Sequence, residues 1–133
     1  CSVLDIGCGT GVLSVLSSKM GANKVIGIDI DEWSYRNSLE NANLNNVSDV
    51  EFLMTDIYSI DRRFDFIFAN INRNIIISQI QDYVNCMNLD SQLVLSGFFI
   101  RDVDEIISYT KKLGLKLIDN QNKKKWTLLH FVK

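Results

Sequence analysis

The chain is constrained above all by its opening stretch, Val3-Leu4-Asp5-Ile6-Gly7-Cys8-Gly9-Thr10-Gly11. A short apolar run meets an acidic residue and then three glycines at alternate positions, and an amphipathic segment, Val12 to Met20, follows at once. Strand, tight loop and helix start in that order place main-chain N–H groups where they can close on a ligand. Glycine supplies the φ/ψ freedom and the missing Cβ that so close an approach requires. A glycine turn without any ligand is the simpler alternative.

Two details narrow the ligand. A dinucleotide fingerprint, G-x-G-x-x-G, requires a third glycine where this chain has Val12. Asp5 stands two residues before Gly7, and a carboxylate there is poorly placed beside a pyrophosphate. It suits a ligand with positive charge, such as the sulfonium and amino group of S-adenosylmethionine (SAM).

The remaining segments alternate. Strands are expected at Ser2–Ile6, Lys24–Asp29, Val50–Met54, Phe64–Ala69, Gln92–Ser96, Leu115–Asp119 and Trp126–Val132. The first helix is expected to turn Val12, Leu13, Val15, Leu16 and Met20 to the sheet, and Gly21 to close it. The second starts at Asp31, a good N-cap, with Tyr35, Leu39 and Ala42 on one face and Asn45-Asn46 at its end. The third carries Ile76, Ile80, Tyr83, Val84 and Met87; the fourth runs from about Asp102 to Leu113 and stops at Gly114. Such alternation predicts an α/β protein, a mostly parallel doubly wound sheet with helices on both faces. Asn120 to Lys125 is too short for a crossover, so the last two strands are expected to form an antiparallel hairpin.

At 133 residues and a net charge of −2, the chain has the length of one domain and no overall field that would recruit nucleic acid or an anionic membrane. The three cysteines, Cys1, Cys8 and Cys86, lack C-x-x-C spacing. They read as free thiols of a reducing, cytoplasmic setting, with neither zinc site nor disulfide framework. The chain opens without Met, directly on a strand, so it is expected to be a fragment lacking an upstream substrate-recognition domain.

Asp5-Ile6-Gly7-Cys8-Gly9-Thr10-Gly11 resembles the first motif, D-x-G-x-G-x-G, of SAM-dependent methyltransferases with a Rossmann-like core, whose parallel sheet also ends in one reversed strand. The resemblance implies cofactor contacts from Asp5, Gly7, Cys8, Gly9, Thr10 and Gly11, a ribose contact from Asp29 with Ile30 beside it, and an adenine-amine contact from Asp56. For Asp29 the alternative of a helix cap suits Asp31 better; Thr55-Asp56 has the alternative of a simple turn.

Asn70 follows the fourth strand. The chain has no proline, which excludes the Asn/Asp-Pro-Pro-aromatic motif of many amino-group methyltransferases. Instead it carries Ala69-Asn70-Ile71-Asn72-Arg73-Asn74, then an Ile-rich helix, Leu95-Ser96-Gly97-Phe98, and a terminal strand from Trp126 to Lys133. In that order these segments resemble the family that methylates the ribosomal large-subunit protein L-eleven, PrmA, over nearly the whole chain. The resemblance implies transfer of methyl groups from SAM to lysine and N-terminal amines of a ribosomal protein, with Asn70 as catalytic residue and cofactor neighbour. It implies no metal, no direct nucleic-acid or membrane partner, and a monomer. A methyltransferase for RNA or a small molecule, and an inactive SAM-binding module, remain as alternatives.

Other residues have two readings. Phe98 and Phe99 either wall an amine channel or pack in the core, and Asn72, Arg73 and Asn74 either touch substrate or cap the third helix. His130 reads as a packed histidine and Lys123-Lys124-Lys125 as a solvated turn.

Overall fold

Each apolar run becomes a strand. The computed structural model describes residues 1–133 and has strands β1 (Ser2–Ile6), β2 (Lys24–Asp29), β3 (Val50–Met54), β4 (Phe64–Asn70), β5 (Met87–Phe99), β6 (Lys116–Lys123) and β7 (Trp126–Val132). Between them lie helices α1 (Val12–Lys19), α2 (Glu32–Leu44), α3 (Arg73–Asn85) and α4 (Val103–Lys112), with short 3-10 turns at Ile57–Ser59 and Ile100–Asp102. The seven strands form one sheet in the order β3-β2-β1-β4-β5-β7-β6. β1 pairs in parallel with both β2 and β4, whereas β7 runs antiparallel to β5 and β6. The chain winds outward from β1 to β3 and then returns to place β4 on the other side of β1. The carboxyl ends of β1 and β4 therefore flank the topological switch point, where α/β sheets bind ligands.

The two faces of the sheet are covered unequally. On one, Leu4, Ile67, Leu93, Leu95, Leu129 and Phe131 are sealed beneath Ile76, Ile80, Tyr83 and Ile106 of α3 and α4. Each such side chain contributes roughly 1.5–3 kcal/mol on burial. On the other, α1 and α2 pack over β1, β2 and β3, around a small cluster of Val15, Ala42 and Phe52. Asp5 points to this second face, and its register partner Phe68 and the next residues across, Val94 and His130, share it. Phe66, Phe68, Val94, Leu128 and His130 are all only partly buried. The Phe66 and Phe68 rings lie 4.8 Å apart, and His130 Nε2 sits 2.7 Å from Gln92 Oε1.

Four sequence expectations shift. Val12, Leu16 and Met20 are exposed, and the inward residues of α1 are Ser14 and Val15. Leu39, expected on the inner face of α2, is also exposed, while Ser38 is buried. Met87 opens β5 instead of closing α3, and β5 continues past Gly97 through Phe99 because the chain bulges between Ser96 and Phe98. The last hairpin turns on Lys124-Lys125 alone, with β6 extended to Lys123. The Asp31 cap appears as expected, accepting from the Ser34 N–H at 2.8 Å, and of its two readings Asn72 takes the capping one, accepting from the Ile75 N–H at 3.1 Å. No helix is long and apolar enough to cross a membrane.

Candidate active site

The glycine loop leaves β1 and is fastened to β2 and α2. Cys8 N–H donates to the Ile28 carbonyl at 2.9 Å, tying the loop to β2, and Gly11 N–H donates to the Cys8 carbonyl at 2.8 Å, tightening the turn. Gly9 N–H donates to Asp29 Oδ2 at 2.9 Å, while Asp29 Oδ1 accepts from the Asp31 N–H at 3.0 Å. Each Asp29 oxygen keeps lone-pair capacity for a ligand hydroxyl. Thr10 is exposed and its carbonyl accepts from Asn41 Nδ2 at 2.9 Å, so the loop is also held by α2. Gly7 has φ +66, a backbone shape that favours glycine, and a Cβ there would lie 2.8 Å from Ile71 Cδ1, so that side chain would have to shift.

Asp5 does not enter the cleft. It is 2% exposed and accepts a 2.7 Å hydrogen bond from Ser14 Oγ, in the first turn of α1. Ser14 fits there because Gly27 of β2 has no side chain; a Cβ would lie 2.7 Å from Ser14 Oγ. Burial pushes the Asp5 pKa up to about 6, and its hydrogen bonds with Ser14 oppose the rise. The carboxylate so placed complements the start of α1 from beneath the loop. Cys8 is partly buried, and desolvation, with Asp5 and Asp29 nearby, pushes its thiol up to about 12. It stays protonated and unreactive at neutral pH.

A cleft of about 390 Å³ opens beside the loop, lined by Gly7, Asp29, Ile30, Asp56, Ile57 and Ile71 among others. Ile30 is 76% exposed on the rim, and Ile57 is buried. Asp56 accepts from the Tyr58 N–H at 3.0 Å and so caps the 3-10 turn that carries Ile57. The arrangement is an apolar slot with a carboxylate at each of two edges.

Asn70 stands across Ile71 from this cleft. Its Oδ1 accepts from Ser96 Oγ at 3.1 Å, and Ile71 N–H donates to the Ser96 carbonyl at 3.0 Å. Gly97, at φ +91, makes this closeness possible, since a Cβ would meet the Ile71 backbone N and O at 2.8 Å. A second cavity, of about 420 Å³, is lined by Asn70, Ile71, Ser96, Gly97, Trp126 and Thr127. Ile71 lines both cavities. Phe98 is 1% exposed and belongs to the core, while Phe99 stacks on Trp126 with ring centroids 4.8 Å apart. Arg73 pairs with Glu105 and donates to Asn74 Oδ1 at 2.8 Å, so both residues support the start of α3.

The candidate cofactor residues thus divide. Gly7, Asp29, Ile30 and Asp56 line the cleft; Cys8, Gly9, Thr10 and Gly11 shape the loop; Asp5 lies beneath it; Asn70 opens on the second cavity. Sequence reasoning gave no role to Ile71, Ser96 or Ile57. Ile71 adjoins Asn70, and that adjacency was the available signal.

Fold order and site location define the Rossmann-like fold of SAM-dependent methyltransferases. A solved magnesium protoporphyrin IX methyltransferase from Synechocystis, with SAM bound, shares it at a TM-score of 0.75 and 20% identity, covering 98% of this chain and 69% of that one. The family model for ribosomal protein L11 methyltransferase (PrmA) matches residues 1–133, and the chain belongs to that family. A relative of that name from Bacteroides fragilis is 42% identical over 133 residues, 98% of this chain and 48% of its own. The crystal structure of a ribosomal protein L11 methylase from Lactobacillus delbrueckii subsp. bulgaricus matches with a TM-score of 0.95 and 28% identity, covering 98% of this chain and 68% of that one. The chain spans about half the length of the curated relatives it matches.

Proposed function

We propose that this chain is the catalytic domain of a SAM-dependent N-methyltransferase acting on lysine and N-terminal amines of the ribosomal large-subunit protein L-eleven. The observation that carries this reading is the pair of cavities meeting at Ile71, one edged by Asp29 and Asp56 and the other by Asn70. The residues fit the cofactor: the apolar slot at Ile30 and Ile57 suits an adenine, whose amine Asp56 would accept from, while Asp29 would accept from the ribose hydroxyls. Asp5 and Asp29 add negative charge near the loop, which favours a cationic ligand. SAM supplies a methyl group already activated by its sulfonium.

The remaining work belongs to the chain. The loop and Asp29 would hold the donor, and Asn70 Oδ1, which accepts a hydrogen bond from the Ser96 hydroxyl, can accept one from an amine N–H instead. That bond would hold the amine nitrogen beside the donor cleft, a use of proximity and orientation worth several of the ~7–11 kcal/mol available. An amide is no base. A lysine of pKa about 10.4 is neutral in about one molecule in two thousand at pH 7, whereas an α-amine near 7.7–8.0 is neutral far more often. Proton loss to water precedes attack in this mechanism, so the rate on a lysine substrate rises with pH when chemistry limits; a flat rate from about pH 7 to about pH 10 would count against it.

Substrate docking falls to a further segment outside these 133 residues, in a protein that is itself a cytoplasmic monomer. Its support is the partly open sheet face at Phe66, Phe68, Val94 and Leu128, since mostly parallel sheets are ordinarily covered on both faces. The test is incubation of the protein with labelled SAM, purified large-subunit proteins and ribosomal RNA, read by mass spectrometry. Label on amines of L-eleven is the expected result. Label only on RNA would sink the assignment, and SAM binding without transfer would favour a binding module.

A further inference from the structure

Beyond the acceptor cavity lies a third one that the reaction leaves unused. It measures about 400 Å³ and is lined by Phe99, Ile100, Arg101, Lys124 and Lys125, three cations over an apolar floor. The ion pairs of the chain are Arg36–Glu32, Arg62–Glu51 and Arg73–Glu105, so none of the three cations has a carboxylate partner. The cavity is a formed feature. Ile100 N–H donates to the Lys125 carbonyl at 3.1 Å, folding the β6–β7 turn over the end of β5. Lys124 sits at φ +58, a left-handed conformation disfavoured for lysine. Two-residue hairpin turns favour Asn or Gly at such a position, and lysine there presents a charge that those residues lack.

The cavity is joined to the acceptor site by a stack. The Arg101 guanidinium lies 5.1 Å from the Phe99 ring centroid, and Phe99 stacks at 4.8 Å on Trp126, which lines the cavity of Asn70. Arg101 Cζ and the Trp126 ring are thus at most about 10 Å apart, a span an extended peptide covers in about three residues. We propose that Arg101, Lys124 and Lys125 form an anion subsite that takes a carboxylate of the acceptor polypeptide about three residues from the methylated amine. The inference rests on the amine-acceptor reading of the Asn70 cavity. It supplies a preference that the amine cannot, because every lysine and α-amine presents the same reacting group. A nucleic-acid strand fits less well. The net charge is −2 and Asp102, Asp104 and Glu105 follow Arg101 in sequence, whereas a phosphate backbone needs an extended basic track.

The test uses two pentapeptides with free N-termini, identical except for glutamate or glutamine at the fourth position. Binding is read by calorimetry, which needs no methyl transfer, and kcat/KM is read from transfer of labelled methyl. The glutamate peptide is expected to bind about fivefold tighter, with the ratio falling to about one in Lys124→Gln/Lys125→Gln and reduced in Arg101→Gln. Equal binding of the two peptides, or a ratio that survives in the double variant, overturns the subsite. So does a short oligouridylate that binds more tightly than the glutamate peptide and loses affinity in the same variant. A glutamate preference in binding without methyl transfer supports the subsite and overturns the proposed reaction. Transfer to both peptides at equal kcat/KM and equal binding does the reverse.

Discussion

Replacing Asp5 by Asn removes a titrating group from beneath the glycine loop. In the native protein burial is the main influence raising the Asp5 pKa from 3.8 to about 6; the Ser14 hydrogen bonds pull it down and the charge of Asp29 adds to the rise. The folded value exceeds the unfolded one, so the folded state keeps a proton that the unfolded chain releases between about pH 4 and about pH 6. The stability linked to this group is complete below the unfolded pKa and is lost as pH rises through the folded one. At about 1.4 kcal/mol per pH unit the loss approaches about 3 kcal/mol by neutral pH. An asparagine oxygen can still accept from Ser14 Oγ, but it does not titrate. Urea unfolding of both proteins from about pH 4 to about pH 8 measures the effect. The stability of Asp5→Asn minus that of the native protein should climb by about 2 kcal/mol between about pH 4 and about pH 7 and then level off. A difference constant to within about 0.5 kcal/mol would refute the buried, destabilised carboxylate. Ser14→Ala removes a bond that lowers the pKa and should move the inflection to higher pH.

Asp29→Ala should weaken SAM binding at least about tenfold by calorimetry, since charged acceptor bonds contribute roughly 1.5–3 kcal/mol each; unchanged affinity would remove Asp29 from the cofactor site. Gly97→Ala places a Cβ 2.8 Å from the Ile71 backbone at φ +91. It should cost about 1–3 kcal/mol in denaturant unfolding, and a neutral effect would deny the close packing of β5 on Asn70-Ile71. With its thiol pushed up to about 12, Cys8 should resist iodoacetamide at mildly alkaline pH while the exposed Cys1 is alkylated. Peptide mapping that found the two equally modified would contradict the assigned environment.

Much of the architecture was legible because strand and helix periods differ and because the opening loop has few uses. Ser2–Ile6, Lys24–Asp29 and Val50–Met54 appear with the expected bounds, and so does the cap Asp31. The inward face of α1 was not legible. Apolar spacing favoured Val12, Leu16 and Met20, but the helix turns Ser14 inward to a buried carboxylate, through space left by Gly27. A polar contact of that kind leaves no apolar period. β5 was cut short at Gly97 because glycine ordinarily ends a strand pattern, whereas here it forms a bulge. The tight final turn was hidden by lysines where glycine or asparagine would announce it. At the site, Asp29, Asp56 and Asn70 were legible as candidates from their places after strands and from the resemblance, but Ile71 as a shared wall required the three-dimensional approach of β1, β4 and β5.

The central claim is that the donor cleft delivers a methyl group to an amine held by Asn70. Its most direct test is single-turnover methyl transfer by Asn70→Ala, measured beside calorimetric SAM affinity. Affinity within about threefold of the native protein, with transfer to L-eleven slowed at least about thirtyfold, is the predicted result. Transfer at the native rate, or a loss accounted for wholly by weaker SAM binding, would contradict it.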